Sequence, residues 1–228
     1  EYDSGEVFTL TSSASYFLAG DVDDEIHFTA VDGSTLRMRL AVYGTPTTFT
    51  VTLNRNVSAE LRAAALAAWG RAKKAFTGID HLEGETIAIL ADGHVYPVQG
   101  VVSGGFTLDN AAVVVHAGLP IVADLETLDI NVLGQETVRT KEKIVSKVDI
   151  LVEESRGIWA GENFDNLTEF KQREDESYDE PVLPLTGQAE IRIPTTWGRG
   201  GRVAIRQVDP LPISILSIIP NVEIGGSS

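Results

Sequence analysis

Apolar and polar residues alternate along most of this chain, and the period of the pattern breaks in one stretch. "VFTLTSSASYFLAG" at 7–20 and "EIHFTAVDGSTLRMRLAVYG" at 25–44 place apolar side chains at alternating positions. A period of two sends successive side chains to opposite faces, so these segments read as half-buried strands. Asp32-Gly33 predicts a hairpin turn between "EIHFTAV" and "STLRMRLAVY". "TTFTVTLNRNV" at 47–57 reads as a further strand. About five short strands in so short a stretch predict a small β-barrel over residues 1–56.

The period then shifts. "SAELRAAALAAWGRAKKAF" at 58–76 puts Leu61, Ala65, Trp69 and Ala72 near one helical face, continued by Phe76. Ser58 suits an N-cap, the interior is mostly Ala and Leu, and Lys73 and Lys74 suit the negative end of a helix dipole. The spacing predicts one connecting helix over 57–76. From 77 to 228 the pattern returns to β and predicts a β-sandwich-like domain, with turns at Asp92-Gly93, Gly104-Gly105 and Gly118. "EKIVSKVDILVEES" at 142–155 is β-rich but ambiguous. "GQAEIRIP" and "GRVAIRQV" read as a hairpin around "TTWGRGG", and "LPISILSIIPNVEIGG" as a last strand pair or an extended arm. The fold class is therefore mostly β: a small barrel joined by one helix to a sandwich-like domain.

Charge narrows the partners. The 228 residues carry a formal net charge of −15, and such a surface repels a nucleic-acid backbone. DNA gripping is disfavoured, while DNA sliding past without adhering is compatible. Residues 153–180 hold ten acidic against three basic side chains and read as a solvated excursion. Arg192, Arg199, Arg202 and Arg206 form a basic stretch whose expected partner is that excursion. There is no cysteine, which removes thiolate catalysis, disulfides and Cys-based zinc sites. The longest apolar run, "LPISILSII" at 211–219, is far too short for a membrane-spanning helix. The chain begins at Glu1 rather than Met, and the expectation is a fragment of a longer polypeptide or a processed product.

The chemistry-bearing residues are weaker signals. "GIDHLEGETIAILADG" at 78–93 offers Asp80, His81, Glu83 and Glu85 as acid–base groups. Adjacent residues on a strand point to opposite faces, so Asp80 and His81 make a poor dyad, and a loop leading into a strand is the better reading. His27, His94 and His116 lie in no metal-ligand spacing, so no metal or cofactor is expected. "DVDDEIHFTAVD" at 21–32 starts like a calcium loop, but Ile26 stands where Gly is needed and Asp32 where Glu is needed. A carboxylate pair for glycoside cleavage can be drawn from any acidic stretch, and carries little weight here.

Several stretches, in order, resemble large tail proteins of short-tailed bacteriophages, the tail tube or nozzle-like virion proteins. They are "GIDHLEGETIAILADGHVYPVQGVVSGGFTLD", "AGLPIVADLETLDI", "SRGIWAGENFDNLTEFKQRE" and "GQAEIRIPTTWGRGGRVAIRQVDPLPISILSIIPNVEIGG", with a looser match over "LRAAALAAWGRAKKAFTGIDHLEG". Together they span nearly all of 58–226, and the tail resembles the C-terminal end of such proteins. "LAGDVDDEIHF" with "DGSTLRMRLAV" is similar to a small β-barrel insert of these proteins, one likened to the catalytic-cysteine half-domain of ubiquitin-activating enzymes. That enzyme's chemistry needs a thiolate and does not carry over.

The resemblance implies a structural, non-enzymatic virion component of the tail. Its expected partners are copies of itself, other phage tail proteins and DNA passing without specific binding, with the host surface a further candidate and no membrane span. Residues expected to carry structural or interface weight are Trp69, His81, the Asp92-Gly93 turn, Trp159, Trp197, and Leu211, Ile213, Ile215 and Ile218 of the apolar arm. Two rivals remain. A receptor- or glycan-binding module would stack sugars on Tyr96, Trp159, Tyr178 or Trp197. A polysaccharide hydrolase would use Glu83 with Asp92.

Overall fold

A computed structural model describes residues 7–29, 35–54, 56–57, 68–131, 138, 140–173, 181–194 and 196–225. The described residues are mostly β-strand, arranged in several antiparallel sheets. The chain divides into two compact units, residues 1–118 and 119–228.

The first unit contains β1 (Val7–Thr11), β2 (Glu25–Thr29), β3 (Thr35–Thr45), β4 (Thr48–Leu53), β5 (Trp69–Thr77), β6 (Thr86–Ala91), β7 (His94–Gly100), β8 (Gly105–Ala112) and β9 (Val115–Gly118). Strict alternation explains β3 and β4. Leu36, Met38 and Leu40 are buried on β3, as are Phe49, Val51 and Leu53 on β4, while Arg37 and Arg39 take the other face. The two strands pair from Met38 opposite Leu53 to Thr45 opposite Thr48. Phe17 closes this core edge-on against Phe49, with ring centroids 5.5 Å apart. Thr29 pairs with Thr35, so β2 and β3 are antiparallel neighbours as expected; the Asp32-Gly33 turn lies outside the described residues.

Two expectations are corrected here. The six-stranded sheet runs β1-β4-β3-β2-β5-β8 and is open, so the described residues form no barrel. Closing residues 1–56 would need β2 to meet β1, but β5 takes that edge of β2. The expected helix over 57–76 is also absent where the chain is described: Trp69–Thr77 is strand, and residues 58–67 lie outside the described residues. Helix propensity is a weak bias per residue, and here the demand of two strand edges for backbone partners overrides it. β5 pairs with β2 on one side and β8 on the other. Gly70 permits this, because a Cβ there would strike the side chain of Val113. Phe76 then stacks on Phe106 with rings 17° from parallel.

β7, β6 and β9 form a second, three-stranded sheet in the same unit. Ala91 pairs with His94 across Asp92-Gly93, and both turn residues have positive φ (46° and 78°). This is the type I′ geometry that an Asp-Gly pair favours.

The second unit contains β10 (Ala123–Glu126), β11 (Lys143–Ser155), β12 (Trp159–Asn163), β13 (Asn166–Glu169), β14 (Leu185–Arg192), β15 (Ala204–Gln207) and β16 (Ile215–Ile224). One sheet has the order β14-β11-β16 and the other β10-β15-β12-β13. Both contribute to one core: Val148, Ile150 and Val152 from β11, Ala189 and Ile191 from β14, Ile158 and Ala160 from the β12 region, and Val203 and Ile205 from the β15 region. The β-rich stretch at 142–155 forms β11, whose alternation breaks once. Val145 and Val148 are both buried although three apart, and a bulge against β16 between Val145 and Lys147 resets the phase.

The hairpin expected from "GQAEIRIP" and "GRVAIRQV" does not form. β14 pairs with β11, whereas β15 pairs with β10 and β12 in the other sheet. The apolar stretch at 211–222 is no free arm, because β16 pairs along β11 and Ile213, Ile215, Ile218 and Val222 pack on the core.

Ile150 is fully buried and Leu216 is 60% exposed, which sets a paired test. In urea denaturation of the full chain, Ile150→Ala is expected to cost about 2–5 kcal/mol, and Leu216→Ala to stay within about 0.5 kcal/mol.

Candidate functional site

The stretch at 78–93 is held by its neighbours through backbone chemistry. A short 3₁₀ turn at Asp80–Leu82 leads into β6. The Glu83 carboxylate accepts the N–H groups of Ser103 at 3.1 Å and Gly104 at 2.7 Å. Those residues form the tight turn between Val102 and Gly105, and both have positive φ (54° and 67°). In return the Gly104 carbonyl accepts the N–H groups of Gly78 and Ile79. The Asp80 carboxylate lies against Gly104 so closely that a Cβ there would strike it. Glycine suits 104 because its positive φ is one that side chains rarely adopt, and a Cβ there would also push the Asp80 carboxylate aside. His81 is exposed on the 3₁₀ turn.

Asp92 plays a similar part at the other end of β6. Its carboxylate accepts the N–H of Val114 at 2.7 Å and that of Val113 at 3.0 Å, tying the β6–β7 tip to the β8–β9 turn. It also lies 3.4 Å from Nδ1 of His27, whose Nε2 is 3.2 Å from the Glu25 carboxylate. Burial alone would raise the pKa of Asp92, but the His27 contact and the two backbone N–H groups outweigh it and hold the carboxyl below its usual 3.8. The two carboxylates considered as a hydrolytic pair, Glu83 and Asp92, are thus each engaged by a different turn.

The acidic loop at 21–24 is held by arginines. Arg71 reaches both Asp21 and Asp24, and Arg39 donates to Asp23 at 2.6 Å. Asp21 also accepts the N–H of Leu18 at 2.8 Å. These carboxylates face guanidinium groups in place of the cation that a calcium loop would hold. Among the described residues, no group of three or more His, Asp or Glu side chains is placed to hold a metal ion.

The basic stretch finds a different partner from the one expected. Arg202 pairs with Asp129 and Glu126, and Arg206 donates to both oxygens of Asp124 at 2.7 and 2.8 Å. Among the described residues, the acids paired with these two arginines come from β10 and the residues after it, because β10 is the ladder neighbour of β15, while Asp165 of the 153–180 stretch adds longer-range attraction to Arg206. Residues 174–180 of the acidic excursion, with Tyr178, lie outside the described residues.

The aromatic candidates are dispersed. Trp69 meets Tyr16 edge-on at 5.0 Å between centroids. Tyr96 and Trp159 are half-buried on β7 and β12. Trp197 is 49% exposed, with one ring edge over Gly225. Leu211 packs against Gly157, where a Cβ would meet it at 3.1 Å.

His27 joins Asp92 only in the folded chain. His27 has no local ligand or triad spacing along the chain, and the β6–β7 tip brings a second carboxylate to it. No protein-family model matches the chain, and no curated protein matches it. Among the described residues, no helix is long and apolar enough to cross a membrane.

Glu83 is the direct test of a turn-holding role. Glu83→Ala is expected to lower the unfolding free energy by about 1–2 kcal/mol, since two amides lose a charged acceptor. Glu83→Gln, which keeps an acceptor oxygen, should retain most of that stability in the same urea titration.

Proposed function

We propose that this chain is a structural component of a bacteriophage tail, part of the tube or nozzle through which DNA leaves the virion. The observation that carries this reading is the use of the 78–93 stretch. Its polar groups at Glu83 and Asp92 are spent on the backbone amides of neighbouring turns, which is the work of a scaffold rather than of an acid–base pair. The ordered resemblance of residues 58–226 to phage tail proteins is what favours a virion location in this reading. In this reading the second unit is a sandwich-like wall element, stiff because its strands are paired and its core is closely packed.

The surface suits assembly. The second unit exposes Leu119, Ile121 (79%), Val122 and Leu128 (88%) around edge strand β10, and Leu216 and Ile219 along edge strand β16. Exposed apolar side chains beside open strand edges are features that protein contacts cover. Copies of the chain and other tail proteins are the proposed occupants. The net charge of −15 keeps passing DNA from adhering.

A receptor- or glycan-binding module is the second reading, and the exposure of the Trp197 indole favours it. A hydrolase ranks third, its proposed carboxylates being held by turns.

Antibodies against this chain, applied to intact virions and imaged by electron microscopy, are expected to label the distal axis of the tail. Label on peripheral appendages would favour receptor binding, and unlabelled virions would remove the tail reading. Trp197→Ala is expected to leave a soluble, folded protein that assembles poorly; a variant that assembles normally counts against an interface role for this ring.

A further inference from the structure

His27 is a buried titratable group that the scaffold reading leaves unexplained. It is 6% exposed and sits on β2, an inner strand of the six-stranded sheet. Its ladder neighbours are Arg37 on β3 and Gly70 on β5. The Val113 side chain occupies the space over Gly70, and Asp92 faces the imidazole from the β6–β7 tip. Asp92 also donates its own N–H to the Val114 carbonyl, so tip and turn move as one piece. Two loop elements therefore meet the large sheet at a single imidazole.

The donor count of that imidazole matters. Nδ1 faces Asp92 and Nε2 faces Glu25, both acceptors when ionised. A neutral imidazole has one N–H, so it can satisfy only one of them and turns a lone pair toward the other. Only the imidazolium donates to both.

The surrounding charges point the same way. Glu25 lies on the same strand, Arg37 directly across on β3, and Asp92 on the tip; Tyr96 on β7 feels the charges of Arg37, Asp92 and Asp109. β5 presents uncharged Gly70, and the next residue, Arg71, is turned to Asp21 and Asp24. With His27 protonated, a cation sits between the Glu25 and Asp92 carboxylates; deprotonated, the imidazole offers them no charge, and Arg37 opposes the protonated form from β3.

We propose that His27 is a proton-operated latch: protonated, it holds the β6–β7 tip and the β8–β9 turn onto the large sheet, and deprotonated it releases them. Burial pulls the imidazole toward lower affinity for its proton, as does Arg37, but the hydrogen bonds to Asp92 and Glu25 outweigh both and raise it above 6.5. The latch therefore contributes fully below pH 6.5 and is lost as pH rises through the higher folded value. Asp92, held below 3.8, contributes above pH 3.8 and is lost as pH falls through its folded value. The contact is strongest between these limits.

The test is nitrogen-15 NMR on the full chain, following the His27 ring nitrogens and the amide protection factors of Val113 and Val114 across pH. The ring is expected to titrate above 6.5, with protection of the two amides falling by up to about 10-fold per pH unit over that titration. Protection of the Val51 amide, in the β4 core, should stay level. His27→Gln should abolish the step while the protein stays folded. A ring that titrates at or below 6.5, or protection of Val113 and Val114 that is flat across the titration, overturns the proposal. Both measurements need only the wild-type chain, so a variant that fails to fold does not leave the matter open.

Discussion

A strand inside a sheet must pair both of its rows of N–H and C=O groups, and each unit meets that demand through one strand. In the first unit β5 joins β2 to β8, and so carries the N-terminal strands and the β6–β9 region into one body. In the second, the thirteen-residue β11 pairs with β14 on one side and β16 on the other. What each strand forbids follows from its position. A side chain at Gly70 would collide with Val113, and a slip of β11 by one residue would turn Val148, Ile150 and Val152 out of the core.

Given this framework, the polar residues act mainly as holders of turns. A tight turn leaves amides without ladder partners, and a nearby side-chain oxygen satisfies them at low cost. Glu83 does this for Ser103 and Gly104, Asp92 for Val113 and Val114, and Asn163 for Asp165 and Asn166. Thr127 does the same for Val203 across the β10–β15 edge. The arginines extend the pattern over longer distances, with Arg71 pinning the 21–24 loop and Arg202 and Arg206 pinning β10. His27 differs because its two contacts depend on a proton.

These features fit the proposed role as a wall element of a phage tail better than they fit a catalyst. A scaffold benefits from many fixed turns and from apolar edges that neighbours cover. A hydrolase needs carboxylates free to exchange protons with a substrate, and Glu83 and Asp92 are engaged with backbone amides. The acidic surface is neutral toward fold but consequential for a polyanion passing nearby.

Local patterns were legible from the sequence. The alternation of β3 and β4 and the Asp92-Gly93 turn follow from side-chain period and backbone preference within a few residues. The β-rich character of residues 142–155 was visible as well, though its bulge was not. Tertiary structure decided the rest. Residues 69–76 have the composition of a helix but form a strand, because the open edges of β2 and β8 compete for their backbone. "GQAEIRIP" and "GRVAIRQV" look like a hairpin, yet their strands belong to different sheets. The partners of Arg202 and Arg206, and the meeting of His27 with Asp92, join residues far apart in the chain. The sequence by itself determined where strands alternate and where they turn, because those are properties of neighbouring residues. Which strand edges meet, and therefore which charges face each other, was decided only when distant backbone groups found their partners.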